Sequence, residues 1–88
     1  MRRTITLDHA LIKIGKAPAS HVKLDFDDKV SRMHAIIDQD TDQGTITILD
    51  LGSLSGTYVN GTRVNKAALV DGDVIVLGDT KLELSMRT

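Results

Sequence analysis

Four short segments of this sequence combine small, hydroxyl-bearing and basic residues: GKAPASH, KVSRMH, GSLSGT and NGTRVN. Lys and Arg side chains form charge-assisted hydrogen bonds with anions, and serine hydroxyls donate to anion oxygens. Glycine lets a bound group approach the backbone closely. If the fold brought these segments together, they would offer an anion such as a protein-bound phosphate a set of suitable side chains, namely Lys16, Ser31, Arg32, Ser53 and Ser55. The same composition is also found in ordinary polar loops, so composition alone does not distinguish an anion-binding site from plain loops.

The segments between these loops alternate apolar and polar residues. Period-two alternation predicts half-buried β-strands, and no long window has a helical pattern. The alternating apolar residues are Ile5 and Leu7; Ile12 and Ile14; Val22, Leu24 and Phe26; Ile46 and Ile48; and Leu82, Leu84 and Met86. Turn signals separate the runs at short intervals: 15–20, 25–29, 40–44, 52–56, 60–61, 71–73 and 78–79. Many short strands with frequent turns predict an all-β antiparallel sandwich or barrel, whose loops converge at its ends.

The clearest local prediction is a β-hairpin in TYVNGTRV. Asn60 and Gly61 stand between two β-rich triplets, and an Asn-Gly pair suits a type I′ turn because both of its central residues have positive φ. The segment LVDGDVIVLGDTKLEL is expected to form a turn, a strand, a Gly-Asp turn and a final strand.

Composition limits the class of protein. The chain has 88 residues, enough for one small domain, and is 41 % hydrophobic with one Tyr, one Phe and no Trp. The core is therefore expected to consist of Val, Ile and Leu. There is no Cys, which excludes disulfides, thiolate nucleophiles and Cys-based zinc sites. The three histidines are scattered without metal-ligand spacing, so neither a metal nor a cofactor is expected.

Charge and hydropathy indicate where the protein works. The net charge is −1 at pH 7, whereas nucleic-acid-binding and membrane-surface domains usually carry a basic excess. No apolar run is long enough for a signal peptide or a membrane span. We therefore expect a cytoplasmic location, with no nucleic acid and no membrane as partner.

The order of the motifs is similar to that of a known family. IGKAPASHVKLDFDDKVSRMHAII, then ILDLGSLSGTYVNGTRV, then LVDGDVIVLGDTKLEL resembles the forkhead-associated (FHA) domain over residues 4–86. The resemblance implies a sandwich of about eleven mostly antiparallel strands, with no enzymatic activity. It also implies binding of phosphothreonine peptides by loops at one end, in kinase-linked signalling. We expect a single domain over residues 1–88, monomeric in isolation, that forms the N-terminal part of a longer protein.

The resemblance also assigns roles to residues. Ser31 matches the family serine that hydrogen-bonds phosphate, and Arg32, Lys16, Ser53 and Ser55 complete the expected phosphopeptide-binding set. The residues expected to support the site are Gly15, His34, Gly56, Thr57, Asn60 and Gly61, with His34 bracing the loops from below.

Three positions depart from the family pattern within the expected site. Lys16 replaces an arginine that grips the phosphate, so the charge remains but the two-pronged fork is lost. Leu54 replaces a threonine hydroxyl, and Ser55 replaces an asparagine that bonds the peptide backbone. Because a charged hydrogen bond contributes roughly 1.5–3 kcal/mol, losing two could weaken binding about a hundredfold.

Other readings of these residues stay open. Ser31 could only cap a turn, and Arg32 and Lys16 could be solvated charges. The domain could be a degenerate FHA domain that binds a protein or its own parent chain without phosphate, or a structural domain with no ligand. A hydrolase with Ser31 as nucleophile and His34 as base is not expected, because residues three apart on a regular strand point to opposite faces.

Overall fold

The computed structural model describes residues 2–7 and 9–85, which form two five-stranded β-sheets packed face to face. Ten strands lie within these residues, where about eleven were expected. They are β1 (Arg2–Thr6), β2 (Leu11–Gly15), β3 (Val22–Lys23), β4 (Ala35–Asp40), β5 (Thr45–Asp50), β6 (Thr57–Val59), β7 (Thr62–Val64), β8 (Lys66–Ala68), β9 (Val74–Leu77) and β10 (Thr80–Ser85). The all-β sandwich predicted from the alternation is confirmed.

The two sheets have mixed strand directions. The strand order is β1-β10-β9-β6-β7 in the first sheet and β3-β2-β4-β5-β8 in the second. Two pairs are parallel, β1 with β10 and β2 with β3, and the other pairs are antiparallel. The mostly antiparallel character was therefore predicted correctly.

The core between the sheets is aliphatic, as the composition predicted. Residues 11–14 of β2 alternate strictly between exposed and buried positions, since Ile12 and Ile14 are buried while Leu11 and Lys13 point outward. The buried cluster consists of Ile5, Ile12, Ile14, Leu24, Val30, Ala35, Ile37, Ile46, Ile48, Leu69, Ile75, Leu77, Leu82 and Leu84. Met86, also expected to face the core, lies outside the described residues. Among the described residues, none belongs to a helix that could span a membrane.

The strand expected from Val22 to Phe26 was too long. Pairing with β2 stops at Lys23, and Leu24 then turns inward, where its amide donates to the Gly15 carbonyl at 2.8 Å. A turn follows at once, so Phe26 is 49 % exposed. The guanidinium of Arg3 lies 4.7 Å from the centre of its ring, a cation–π contact that partly covers it.

The β6–β7 hairpin forms as predicted. Asn60 and Gly61 have φ values of 50° and 88°, the two positive angles of the expected turn. Asn60 also ties the hairpin to the start of β9, because its side chain accepts from the Val74 amide at 3.0 Å and donates to Asp73 at 2.9 Å.

The register of the second sheet collects loops at one end. Ile14 pairs with Ala35, and Ala35 pairs with Asp50. The end of β2, the start of β4 and the end of β5 therefore lie side by side. The three segments 16–21, 24–34 and 51–56, which connect these ends to their neighbours, consequently emerge together although they are far apart in sequence.

Candidate functional site

Two of the loops at this end are joined through their backbones. The amide of Lys16 donates to the carbonyl of Ser31 at 3.1 Å, and the amide of Ala17 donates to that of Arg32 at 3.0 Å. Gly15 makes this contact possible, since a Cβ at this position would lie 2.1 Å from the Arg32 carbonyl oxygen. The backbones of Lys16, Ser31 and Arg32 thereby lie next to one another.

His34 connects this pair of loops to the third. Its ring is fully buried, Nδ1 accepts from the Ser31 amide at 3.1 Å, and Nε2 lies 2.9 Å from the Gly56 carbonyl. A nitrogen that accepts from an amide carries no proton, so Nε2 is the protonated nitrogen and donates. The amide of Leu51 also donates to the His34 carbonyl at 2.9 Å. His34 is therefore hydrogen-bonded to the segment before β4 through its Nδ1 and to the loop 51–56 through its Nε2 and its carbonyl.

The same contacts bear on the hydrolase reading. Both ring nitrogens of His34 are engaged by backbone groups, and the contact with Ser31 involves its amide rather than its hydroxyl. The expected reason was wrong, because Ser31 lies in the turn before β4 and not on a regular strand. A nucleophilic serine needs a base that can take its proton, and His34 is already occupied.

The third loop, residues 51–56, is organised by Asp50. Its Oδ1 accepts from the amides of Gly52 and Ser53 at 2.8 and 2.9 Å. Its Oδ2 accepts from the hydroxyls of Ser53 and Thr57 at 2.5 and 2.7 Å. Burial alone would raise the pKa of this carboxyl, but these four donors outweigh burial and hold the pKa below its ordinary value.

This network places Ser53 and Thr57 inside the loop. Ser53 is only 9 % exposed, and its hydroxyl donates to Asp50 and accepts from the Gly56 amide at 3.1 Å. Thr57, expected to support the site, is fully buried. The hydroxyl of Ser53, expected to face a partner, is thus directed inward, where it shapes the loop.

Ser55 and Leu54 lie on the outer side of the same loop. The Ser55 hydroxyl donates to the Lys29 carbonyl at 2.7 Å, which links this loop to the segment before Ser31. Leu54 is 94 % exposed. Gly56, at φ 90°, lies against the Arg63 side chain, since a Cβ at this position would be 2.8 Å from its Nε. Asn60 and Gly61, the tip of the hairpin, lie at the far end of β6 from this loop.

The three loops at this end carry three basic side chains, Lys16, Lys29 and Arg32, and three acidic ones, Asp25, Asp27 and Asp28. Lys16 is half-buried and Arg32 is exposed, and neither forms an ion pair with another residue of the described ranges 2–7 and 9–85. Lys29 does form an exposed pair with Asp79 at 3.0 Å. Lys16 and Arg32 are therefore the cationic side chains of these loops that no ion pair within the described residues neutralises.

Asp27, a buried carboxylate, fixes the loop that carries Lys29. It accepts from the Lys29 amide at 3.0 Å, the Asp79 amide at 2.9 Å and the Thr80 hydroxyl at 2.7 Å. Burial raises the pKa of Asp27, yet these hydrogen bonds, with Thr80 foremost, lower it by more, so the net direction is downward. Gly78 approaches so closely that a Cβ would lie 2.8 Å from the carboxylate.

Sequence reasoning missed both carboxylates. Asp50 carries a local signal, because an Asp followed by Gly and Ser commonly accepts from amides two and three residues on. Asp27 carries a similar local signal, because it accepts from the Lys29 amide two residues on, but its hydroxyl partner Thr80 is 53 residues away. Among the described residues, no cluster of three or more potential metal ligands is found.

Comparison with known proteins identifies relatives of this arrangement. The FHA domain family model matches residues 12–78. The glycogen accumulation regulator GarA of Mycobacterium tuberculosis is 40 % identical over 76 residues, which are 86 % of this chain and 45 % of that protein. The chain thus spans about half the length of the curated relatives it matches.

Solved structures agree with this result. One comes from a structural and functional analysis of phosphothreonine-dependent FHA domain interactions; it superposes with a TM-score of 0.84 and 34 % identity, covering 93 % of this chain and 82 % of that one. Another, Mycobacterium tuberculosis EmbR in complex with a low-affinity phosphopeptide, gives a TM-score of 0.81 at 34 % identity, covering 93 % of this chain and 22 % of that one.

Proposed function

This chain belongs to the FHA domain family, and on that basis we propose that it is a protein-interaction module that binds a phosphothreonine segment of a partner protein in kinase-linked signalling. Two structural relatives support this proposal, since one was studied for phosphothreonine-dependent interactions and the other holds a phosphopeptide.

The observation that carries the proposal is the backbone pairing of the first two loops. Because Lys16 and Ala17 donate their amides to Ser31 and Arg32, the backbone that carries two cationic side chains and one hydroxyl is fixed before any ligand arrives. Preorganised donors lose little conformational entropy on binding, which favours affinity. A phosphate dianion satisfies such a patch better than a carboxylate does, because it offers more charge and three acceptor oxygens.

Each residue then has a definite task. Lys16 and Arg32 neutralise the phosphate charge, and the Ser31 hydroxyl donates to a phosphate oxygen. Ser55 meets the backbone of the bound peptide. Ser53, whose hydroxyl is engaged with Asp50, contributes by fixing the loop.

One observation favours a second candidate function. The Ser55 hydroxyl is already donated to the Lys29 carbonyl, and its neighbour Leu54 exposes an apolar side chain where a hydroxyl would help hold phosphate. Such a rim suits a phosphate-independent contact with a protein, or with the parent chain of this domain.

The remaining properties follow from the same proposal. Residues 1–88 constitute one interaction domain of a longer protein, monomeric in isolation, with no catalytic activity of its own. It acts in the cytoplasm, where Ser/Thr kinases phosphorylate its partners.

An NMR titration tests the proposed function. Labelled protein is titrated with a degenerate phosphothreonine peptide pool and, separately, with the same pool unphosphorylated. Shifts at Lys16, Ser31, Arg32 and residues 52–57 with the phosphorylated pool alone are the expected result. Equal shifts with both pools would favour the phosphate-independent module, and no shift from either pool up to millimolar peptide would contradict phosphothreonine binding and leave that module as the better reading. An Arg32→Glu variant should no longer bind the phosphorylated pool, although its fold is unchanged.

A further inference from the structure

A cleft lies at the side of the sandwich, between the strands β1 and β3. Its volume is about 330 Å³, at the lower end of the range for ligand-binding clefts. Each of these strands is an edge of its sheet, and β3 has only two residues, which leaves a gap between the two edges. Lys16, Ser31 and Arg32 do not line the cleft, so it is distinct from the site proposed to bind phosphothreonine.

The cleft combines basic side chains with residues of the core. Four exposed residues with basic side chains line it, namely Arg3, His9, His21 and Lys23. Buried apolar residues line it as well, namely Ile5, Ile12 and Leu82. The lining residues that the structure describes include no Asp or Glu, although the chain as a whole has a net charge of −1. An anion therefore meets a local excess of basic groups here.

Arg3 faces the interior side of β1 although it is charged. It pairs with the core residue Leu82, and the alternation of a strand puts it on the same face as the buried Ile5. Its guanidinium lies over the ring of Phe26, 4.7 Å from the ring centre. A cation–π contact uses none of the five N–H groups of an arginine, so the guanidinium keeps donors for an anion.

His21 is held as a hydrogen-bond donor. Pairing of β3 with β2 begins at Val22 and Ile14, and one residue earlier the Lys13 amide donates to Nδ1 of His21 at 3.0 Å. A ring nitrogen that accepts from an amide carries no proton, so Nε2 carries it and is a donor. The His9 ring packs beside this ring, with a distance of 4.4 Å between the two centroids.

The same hydrogen bond argues against a metal ion between the two histidines. A histidine binds a metal through the lone pair of its unprotonated nitrogen, and in His21 that lone pair already accepts from the Lys13 amide. In addition, no group of three or more potential metal ligands occurs among residues 2–7 and 9–85. The chemistry of the cleft therefore favours an anion over a metal cation.

We propose that this cleft binds a small-molecule phosphate monoester, at a site independent of phosphothreonine binding. Arg3 and Lys23 approach from the edges of different sheets, and three phosphate oxygens accept from such separated donors better than the two coplanar oxygens of a carboxylate do. Lys23 forms an exposed ion pair with Asp25 at 3.5 Å, a weak contact that a dianion displaces. The small volume and the buried apolar residues suit a compact molecule with an apolar part.

An NMR titration with phenyl phosphate tests this proposal. The amides of residues 3–5 and 21–23 should shift, with half-saturation at about 1 mM, as expected for so small a ligand. Benzoate has the same ring but one charge and two acceptor oxygens, so it should bind about tenfold more weakly. Because phenyl phosphate also suits the loops at the end of the sandwich, the titration is repeated on Arg32→Glu, in which the shifts at residues 3–5 and 21–23 should persist.

Variants then locate the bound phosphate. Arg3→Gln and Lys23→Gln should each weaken phenyl phosphate binding about tenfold, since each removes one charged donor. Lys66→Gln is the matched control, because Lys66 is exposed on β8, at the opposite edge of the sheet that contains β3, and its loss should change nothing. Unchanged signal dispersion in all three spectra shows that the fold is kept.

Each contrary result overturns the cleft site without affecting the proposed function. Shifts confined to the loops, or lost throughout in Arg32→Glu, would show that phenyl phosphate occupies only the phosphothreonine site. Equal binding of benzoate, or an equal effect of Lys66→Gln, would reduce the cleft to general electrostatic attraction. Cleft shifts that persist while phosphothreonine peptides fail to bind would support the cleft and contradict the proposed function alone.

Discussion

At the scale of single residues, Lys16 limits the proposed phosphate site. Its backbone is fixed by the Ser31 carbonyl, so a longer side chain would start from the same point. Arg presents two parallel donors to a phosphate, whereas Lys presents a point charge. Lys16→Arg is therefore expected to tighten phosphothreonine-peptide binding about tenfold, measured by calorimetry at constant ionic strength. Lys81→Arg, an exposed control on β10, should change nothing; an equal effect of both variants would show that only general charge matters.

Gly15 decides whether the two loops can pair at all. A Cβ here would lie 2.1 Å from a backbone oxygen, which no rotamer change can relieve. We expect Gly15→Ala to lower the free energy of unfolding by about 3 kcal/mol or more, since overpacking against backbone forces the chain apart. Gly44→Ala is the control. A Cβ at Gly44 would meet no other atom, and the only penalty comes from its positive φ of 67°, so the free energy of unfolding should fall by about 1 kcal/mol. Urea unfolding measures both, and equal losses would contradict a steric role for Gly15.

At the scale of elements, the loop 51–56 depends on one carboxylate. Asp50→Asn keeps the shape of the side chain but removes its charge and one of its two acceptor oxygens, such as the Oδ2 that accepts from the hydroxyls of Ser53 and Thr57. We expect a loss of about 2 kcal/mol, with faster amide exchange concentrated at residues 52–56. Asp40→Asn provides the comparison, since Asp40 accepts from the amides of Asp42 and Gln43 in an exposed turn. Its loss should be well under 1 kcal/mol, and uniform exchange across the Asp50→Asn variant would show that Asp50 does not act locally.

The elements also show what could be predicted from the sequence. Strands with regular alternation, such as β2, and the Asn-Gly hairpin were predictable because their signals are local. The strand expected through Phe26 overlapped the turn signal at 25–29, and the structure has the turn, in which the Asp27 amide donates to the Leu24 carbonyl at 3.3 Å. The contact of Asp27 with Thr80 on β10 was not predictable, because it joins residues 53 apart. The inward direction of the Ser53 hydroxyl likewise depends on Asp50, which the motif alone did not single out.

At the scale of the whole molecule, the hydrogen-bonded carboxylates of Asp27 and Asp50 predict how stability depends on pH. Burial raises the pKa of Asp27 and Asp50, but hydrogen bonds overcome it, so both pKa values in the folded state lie below those of the unfolded chain. The unfolded chain consequently binds protons first as pH falls, and stability that is fully present above the unfolded pKa of about 4 is lost progressively below it. We expect the free energy of unfolding to be nearly constant from pH 7 to about 5 and to fall steadily from there to pH 3, measured by urea unfolding. The exposed variant Asp25→Asn should reproduce this profile, whereas Asp27→Asn should be less stable at pH 7 and show a shallower decline. If Asp27→Asn and Asp50→Asn both keep the full acid dependence, the decline comes from the surface charge of the molecule and not from these two carboxylates.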